Sequence, residues 1–471
     1  MILGKSVQGT SLPVYAETVK DQPLTKGDWT LEEELYMEKS HITADQVSLD
    51  GSSHPVADDP VMLYRSTLEG KNGIQISNLT VKSSLISTEG VYLQSSTLAA
   101  PTISISGLTS SKDSQASSFH GLFSEQVEDY DNHKMEQNHL KTDWLHVDGV
   151  TTDTALSLYG ALLGTVDLSP YTEEGKTNVT VENVANTTDS PDGTLSFGLG
   201  NILNLTNYDN PEQSKNLPFV VTGKTQIRNI SSTKGSAVGA ALVAISDFDM
   251  DDSHTDFHDL EISDIHGGDL SVGLYGGMGV VNVENADINM TGKENVYAGA
   301  YTASVPDYKS ANLKQFAIAG PFLGKINLNN PEGNYTINGN VLADAGNHLS
   351  IEEAQYQFYK KQLENPGSED KEYLEEVVKE AEKAIQIYQG HQYGNINLAG
   401  HLRLYGDIYA KNGGTVNLHL QDGSYFEGQA DDYADFDAAG QLTPRQVDVS
   451  SDLNKSALGK LYNWKFLEDC I

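Results

Sequence analysis

The sequence predicts an all-β fold of the solenoid type, interrupted by one helical hairpin. Three observations carry this. A six-residue pattern, apolar-x-apolar-x-Asn/Asp/Gly-apolar, recurs seven times along the 471 residues. A glycine followed by an apolar residue recurs between its copies. A single stretch near residue 370 changes its apolar period from two residues to about 3.6. The first pattern reads IQISNL at Ile74–Leu79, ISISGL at Ile103–Leu108, LHVDGV at Leu145–Val150, VTVENV at Val179–Val184 and LEISDI at Leu260–Ile265, and more loosely TQIRNI at Thr225–Ile230 and VNVENA at Val281–Ala286. Alternation with a period of two makes each copy a strand with its first and third residues on one face. Its fifth position holds only Asn78, Gly107, Gly149, Asn183, Asn229, Asp264 and Asn285. These residue types tolerate the left-handed backbone region, so each strand is expected to turn a corner there. Strands that turn at one repeated place stack on copies of themselves, and Asn78, Asn183, Asn229 and Asn285 are placed to form a side-chain amide ladder along that corner.

Residues 1–60 are the least regular and are expected to form an N-terminal cap covering the unpaired edge of the first coil. Asp28–Leu35 fits either a short helix, with Thr30 and Glu33 as a capping box, or an edge segment. From 61 to 350 the corner pattern alternates with Gly90-Val91, Gly121-Leu122, Gly160-Ala161, Gly198-Leu199, Gly239-Ala240, Gly273-Leu274 and Gly299-Ala300. Glycine inside a strand pattern marks a bend or a close backbone approach. Polar segments at 110–118, 125–142, 186–193 and 208–218 are expected to leave the stack as loops. Residues 351–389 read as two helices around Asn365-Pro366-Gly367, with Ser368 as N-cap and Tyr373, Leu374, Val377, Val378, Ala381, Ala384, Ile385 and Tyr388 along one face. Strands return over 390–430, with turns at Asn412-Gly413-Gly414 and Asp422-Gly423, and 431–471 is expected to be an irregular acidic tail.

Composition narrows the function. Lys plus Arg number 30 against 66 Asp plus Glu, a formal charge of −36. Such a surface repels phosphate backbones, which argues against nucleic-acid binding. The single cysteine, Cys470, precludes an intrachain disulfide and a cysteine-based metal site. Residues 2–19 lack a basic start and a long apolar run, so neither an export signal nor a transmembrane segment is expected there.

Gly406–Ser424 (GDIYAKNGGTVNLHLQDGS) resembles the C-terminal rungs of bacterial autotransporter passengers of the pertactin-like type, and Ile337–Asn347 (INGNVLADAGN) with the repeated Asn corners is similar. The resemblance covers roughly residues 220–430. It implies a right-handed parallel β-helix, cell-surface or secreted, associated with the bacterial outer membrane in the full-length family, and an adhesin-like, non-enzymatic role toward a host or bacterial surface glycan or protein. The family's export signal and membrane barrel are not recognisable here. The fold is therefore expected over 61–430, with about 15 to 18 coils and a length of about 70–85 Å at about 4.8 Å per coil.

Three kinds of chemistry merit weighing. Asp247, Asp249 and Asp251 have a spacing that can direct carboxylates at calcium, but the EF-hand glycine is missing and His258 stands where its final Glu belongs. A solvated acidic loop explains them as well, and no other cofactor is expected. His254, His258 and His266 match no zinc spacing. No G-x-S-x-G elbow occurs, and only four arginines, Arg65, Arg228, Arg403 and Arg445, are present to serve a lyase-type basic centre. A glycosidase needs only two carboxylates, so a carbohydrate-active enzyme, glycoside hydrolase or polysaccharide lyase, on the same scaffold is one alternative reading, and a non-functional passenger fragment is the other. No catalytic residue is assigned. Recognition is expected on segments that leave the stack: 125–142, 247–259 and the hairpin with its Tyr356, Tyr359, Tyr373 and Tyr388.

Overall fold

A computed structural model describes Ile2–Gly4 and most of residues 16–451, the longest breaks being 205–218, 246–253, 304–323 and 433–446. Two long sheets run its length, of 14 and 22 strands. In the first, Ile2–Gly4 lies antiparallel to Ala16–Lys20. Every later pairing is parallel, from Ala16–Lys20 on Glu34–Glu38 to Ile408–Lys411 on Ala430–Asp432. Each of those thirteen parallel strands belongs to one coil. The second sheet supplies two further faces per coil, as in Thr97–Ala99 and Thr102–Ser110. The fold is an all-β parallel β-helix.

Apolar residues meet in register down its interior. Val47, Ile74, Ile103, Leu145 and Val179 stack one above another, all buried. Each such side chain contributes roughly 1.5–3 kcal/mol of burial. Among the described residues the first sheet gives thirteen coils against the expected 15 to 18, or about 60 Å at about 4.8 Å per coil. The difference arises because coils are long and unequal. Laterally bonded asparagines one coil apart are separated by 20 residues at Asn397 and Asn417 but by 70 at Asn327 and Asn397.

The stack also begins earlier than residue 61. Asp28–Leu31 and Glu34–Glu38 are strands rather than a capped helix, and His41–Asp50 pairs with Thr67–Ser77. Their turns hid them. Asp21, Lys39, Arg65 and Ser95 all have φ between 46° and 51°, and three of them precede a serine. Ser40 N donates to Ser66 Oγ, and Ser66 N to Ser96 Oγ, both at 3.0 Å. Ser96 N donates to Asn138 Oδ1 at 2.7 Å. At the other end the expected irregular tail contains a further strand, Val447–Ser451, paired with Val416–Leu420.

The second-sheet corner is left-handed at Asn78, Gly107, Gly149, Asn183, Asn229 and Asp264, with φ between 56° and 69°. Asn285 is a correction. It has no positive φ, and it sits opposite Asp259 rather than beyond Asp264. The coil partner of Ile262 is Ile288, so VNVENA lies on the face preceding the corner. Alternation alone could not distinguish the two faces. Asn229→Val is expected to destabilise by about 1–3 kcal/mol through a β-branched residue at φ 56° and loss of the Asn229 Nδ2–Asn183 Oδ1 bond of 2.6 Å. Asn229→Gly should cost less. Equal melting temperatures for the two variants would remove the conformational argument.

Corner amides stack only in part. Asn229 donates to Asn183, and Asn183 to Asp148, while Asn78 donates separately to Asp50. A longer ladder occupies another face: Asn417 donates to Asn397, Asn397 to Asn327, Asn327 to Asn282 and Asn282 to Asp256, all at 2.7–2.8 Å.

The recurring glycines of the first sheet form a column facing the second. A Cβ built on Gly121 would stand 2.5 Å from Gly160 O and 2.7 Å from Val150 Cγ2. On Gly160 it would meet Gly198 O and Val181 Cγ1, both at 2.7 Å. Only glycine lets the two sheets approach this closely.

The helices run His348–Leu363 and Lys371–Gly390, between first-sheet strand Val341–Asp344 and second-sheet strand Asn395–Leu398. They pack on each other, with Leu374 and Ala381 buried and Tyr356 Oη bonded to Glu382. Ser368 lies outside the described residues. Replacing 348–390 by a short Gly/Ser linker is expected to leave the β-helix folded, since chain length in a loop alters stability only slowly. Circular dichroism should lose its helical component alone. A deletion that abolishes the β signal would make the hairpin part of the core.

Candidate binding face

Alternation on the corner-bearing strands sends every second side chain outward, and parallel stacking places them in columns. Around the coils of Trp144–Thr152 and Asn178–Asn186 these columns bring together Trp144, His146, Asp148, Thr180 and Glu182, followed by Arg228 from the next coil. Trp144 is 42% exposed, unusual for so large an apolar ring on a strand. Its indole Nε1 donates to Thr180 Oγ1 at 3.1 Å. Its ring lies 8° from parallel with that of His146, at 5.1 Å between centroids.

His146 Nε2 is 2.9 Å from Glu182 Oε1, and Arg228 Nε is 2.5 Å from Glu182 Oε2. The Arg228 bond, opposed by burial and reinforced by His146, holds the Glu182 carboxyl below the ordinary carboxylate range. Asp148 Oδ1 accepts from Asn183 Nδ2 at 2.6 Å. His146, Asp148 and Glu182 each offer one ligand atom, all within 4.8 Å of one another. Two coils beyond Glu182, burial pushes the Glu261 carboxyl up, but bonds from Lys224 and Gln226 together outweigh it and leave it lowered.

Sequence spacing did not reveal this cluster, because His146 and Glu182 are 36 residues apart. Only the register of adjacent coils joins them. The sequence-based candidates fare differently. Asp247, Asp249 and Asp251 lie outside the described residues. His254 Nδ1 lies 2.9 Å from Asp256 Oδ2 without the alignment of a hydrogen bond, His258 pairs with Glu284, and His266 lies past the Asp264 corner. The three histidines form no common site. Segment 125–142 contains a small antiparallel hairpin, Val127–Asp129 with Lys134–Glu136, before rejoining the coil at Asn138–Lys141. On the helices Tyr373 is 61% exposed and Phe358 is also exposed, whereas Tyr356 is half-buried beneath Lys360.

A buried polar group on the first sheet could pass for a hydrolytic triad. Ser87 Oγ donates to Glu89 Oε1 at 2.5 Å and approaches His120 Nδ1 at 3.4 Å, while the same His120 nitrogen lies 3.1 Å from Glu89. A proton relay needs serine and carboxylate on opposite ring nitrogens. Here both meet one nitrogen, so the geometry is that of a structural network. His120 lies between Phe123 and Tyr159 in an aromatic stack that continues to Phe197.

Among the described residues no helix is long and apolar enough to cross a membrane. No protein-family model, curated protein or solved structure matches the chain.

Proposed function

We propose that the chain is a non-catalytic recognition rod, an adhesin-like β-helix of the autotransporter-passenger kind that acts at a cell surface or in the secreted state by binding glycans. The observation that carries this reading is exposed Trp144, fixed against His146 and bordered by Asp148, Thr180, Glu182 and Arg228. Sugar rings present apolar C–H faces and equatorial hydroxyls, which suit an aromatic plane edged with planar hydrogen-bonding groups. A rigid sheet supplies that surface with little ordering cost. The resemblance of Gly406–Ser424 to passenger rungs supports the surface location.

Glycosidic cleavage needs a carboxylic acid held protonated near neutral pH, hence with a raised pKa. At the Trp144 face the Arg228 bond displaces Glu182 the opposite way, which suits that carboxylate to accept hydrogen bonds from sugar hydroxyls. A glycan array should return saturable ligands, and Trp144→Ala should weaken them by about tenfold or more, while Tyr373→Ala leaves them unchanged. Undiminished binding by Trp144→Ala would move the site elsewhere. Turnover of a bound glycan, abolished by one Asp or Glu substitution, would establish the enzyme instead. Binding confined to protein ligands would overturn the glycan assignment.

A further inference from the structure

Asp148 and Glu182 are direct register partners on adjacent strands. Like charges placed opposite one another destabilise a sheet unless a cation lies near. Arg228 supplies one positive group, but its contact is with Glu182 Oε2, from the next coil along. His146 approaches the other oxygen, Oε1, and Asp148 lies beside both, so an imidazole nitrogen and two carboxylates converge within 4.8 Å. The 2.9 Å between His146 Nε2 and Glu182 Oε1 already suits two ligands on one ion with bonds of about 2.0–2.2 Å.

Two of these groups are oriented by a neighbour: Trp144 stacks on His146, and Asn183 holds Asp148 through Oδ1. Support of this kind around ligands is what fixes metal geometry. From these contacts we propose that His146, Asp148 and Glu182 form a site for a divalent first-row transition ion, with Arg228 as the resident cation it competes against. One nitrogen and two oxygens favour Zn²⁺ over Ca²⁺, which takes six to eight oxygens. The partly buried surface position leaves the remaining coordination to water or to a ligand on the Trp144 face. The site does not depend on the glycan reading, since the ion alone is the probe.

Metal-free full-length protein titrated with ZnCl₂ near neutral pH should show one tightest phase of unit stoichiometry. Calorimetry separates that phase from weak binding by other surface histidines and carboxylates. His146→Ala should abolish it. Asn183→Gly, which keeps the left-handed corner at φ 58° and leaves every ligand in place, should weaken it by about tenfold. Arg228→Gln should tighten it, because the competing charge is gone. Calcium at the same concentration should not displace the zinc. Unchanged circular dichroism would show that the variants fold, and Asn183→Gly retains a test if His146→Ala does not. No tight phase in the parent, an unaltered phase in His146→Ala, or weaker binding in Arg228→Gln would each overturn the assignment. Glycan binding measured with and without zinc then fails or succeeds separately.

Discussion

Gly198→Ala is expected to lower stability by about 3 kcal/mol, the upper part of the usual range for overpacking. The added Cβ would stand 2.7 Å from Gly239 O and 2.7 Å from Ile227 Cγ2, with Ile230 Cδ1 at 3.1 Å. The side chains have some room to move. The carbonyl has little, because it belongs to the backbone of the parallel strand Ser236–Ile245. Gly198 has no positive φ, so the penalty is one of space and not of backbone conformation. Gly27→Ala is the control, since nothing lies within 4 Å of a Cβ there. Urea denaturation should move the midpoint for Gly198→Ala alone. Coincident midpoints would mean that the sheets separate without cost and that the glycine column is incidental.

Asn138→Ala should be at least as damaging, by about 3 kcal/mol or more. This side chain is wholly buried and makes four bonds. Its Oδ1 accepts from Ser96 N, while Nδ2 reaches Leu93 O at 3.1 Å, Ser124 Oγ at 2.8 Å and Glu125 O at 2.7 Å. Each backbone group left without a partner costs about 1–3 kcal/mol. Asn138→Asp separates the two halves of the effect. The acceptor for Ser96 survives, but a carboxylate would face two carbonyl oxygens in a buried place. Its folded pKa would rise above the unfolded value of about 3.9, so the defect should deepen as pH increases through that value and lessen in acid. A pH-independent defect would contradict this account of the site.

Both residues illustrate what sequence could and could not disclose. The glycine column was legible as a repeat, because one physical demand selects one residue type in the successive coils from Gly90 to Gly239. The left-handed corners were legible for the same reason at Asn78, Gly107, Gly149, Asn183, Asn229 and Asp264. The first coils were not, since Lys39, Arg65 and Ser95 occupy left-handed turns where those residue types give no signal. The serine after each, at Ser40, Ser66 and Ser96, was the available clue, as its hydroxyl accepts from a backbone N–H of the neighbouring coil. Asn138 continues that column with a different side chain, which disguised it. Asn285 failed in the opposite way: it matched the pattern while lying on the wrong face. The Trp144 face was hidden because lateral stacking, and not sequence proximity, assembles it. Insertions of unequal length change the distance from His146 to its partner without changing their register.

The ladder from Asp256 to Asn417 also gives the rod an electrical sense. A carboxylate can only accept, so Asn282 must turn its NH₂ toward Asp256 and its oxygen away. Asn327 must then do the same, followed by Asn397 and Asn417. One aspartate thus decides the direction of four carboxamides, whose dipoles add along the axis with a negative charge seated at their positive end. This is the side-chain counterpart of an acid at the start of an α-helix. Reversing any one amide would set oxygen against oxygen and NH₂ against NH₂. Coils that look equivalent in backbone are therefore not interchangeable, and a coil inserted above Asp256 would have to carry an amide in the same orientation to keep the row continuous.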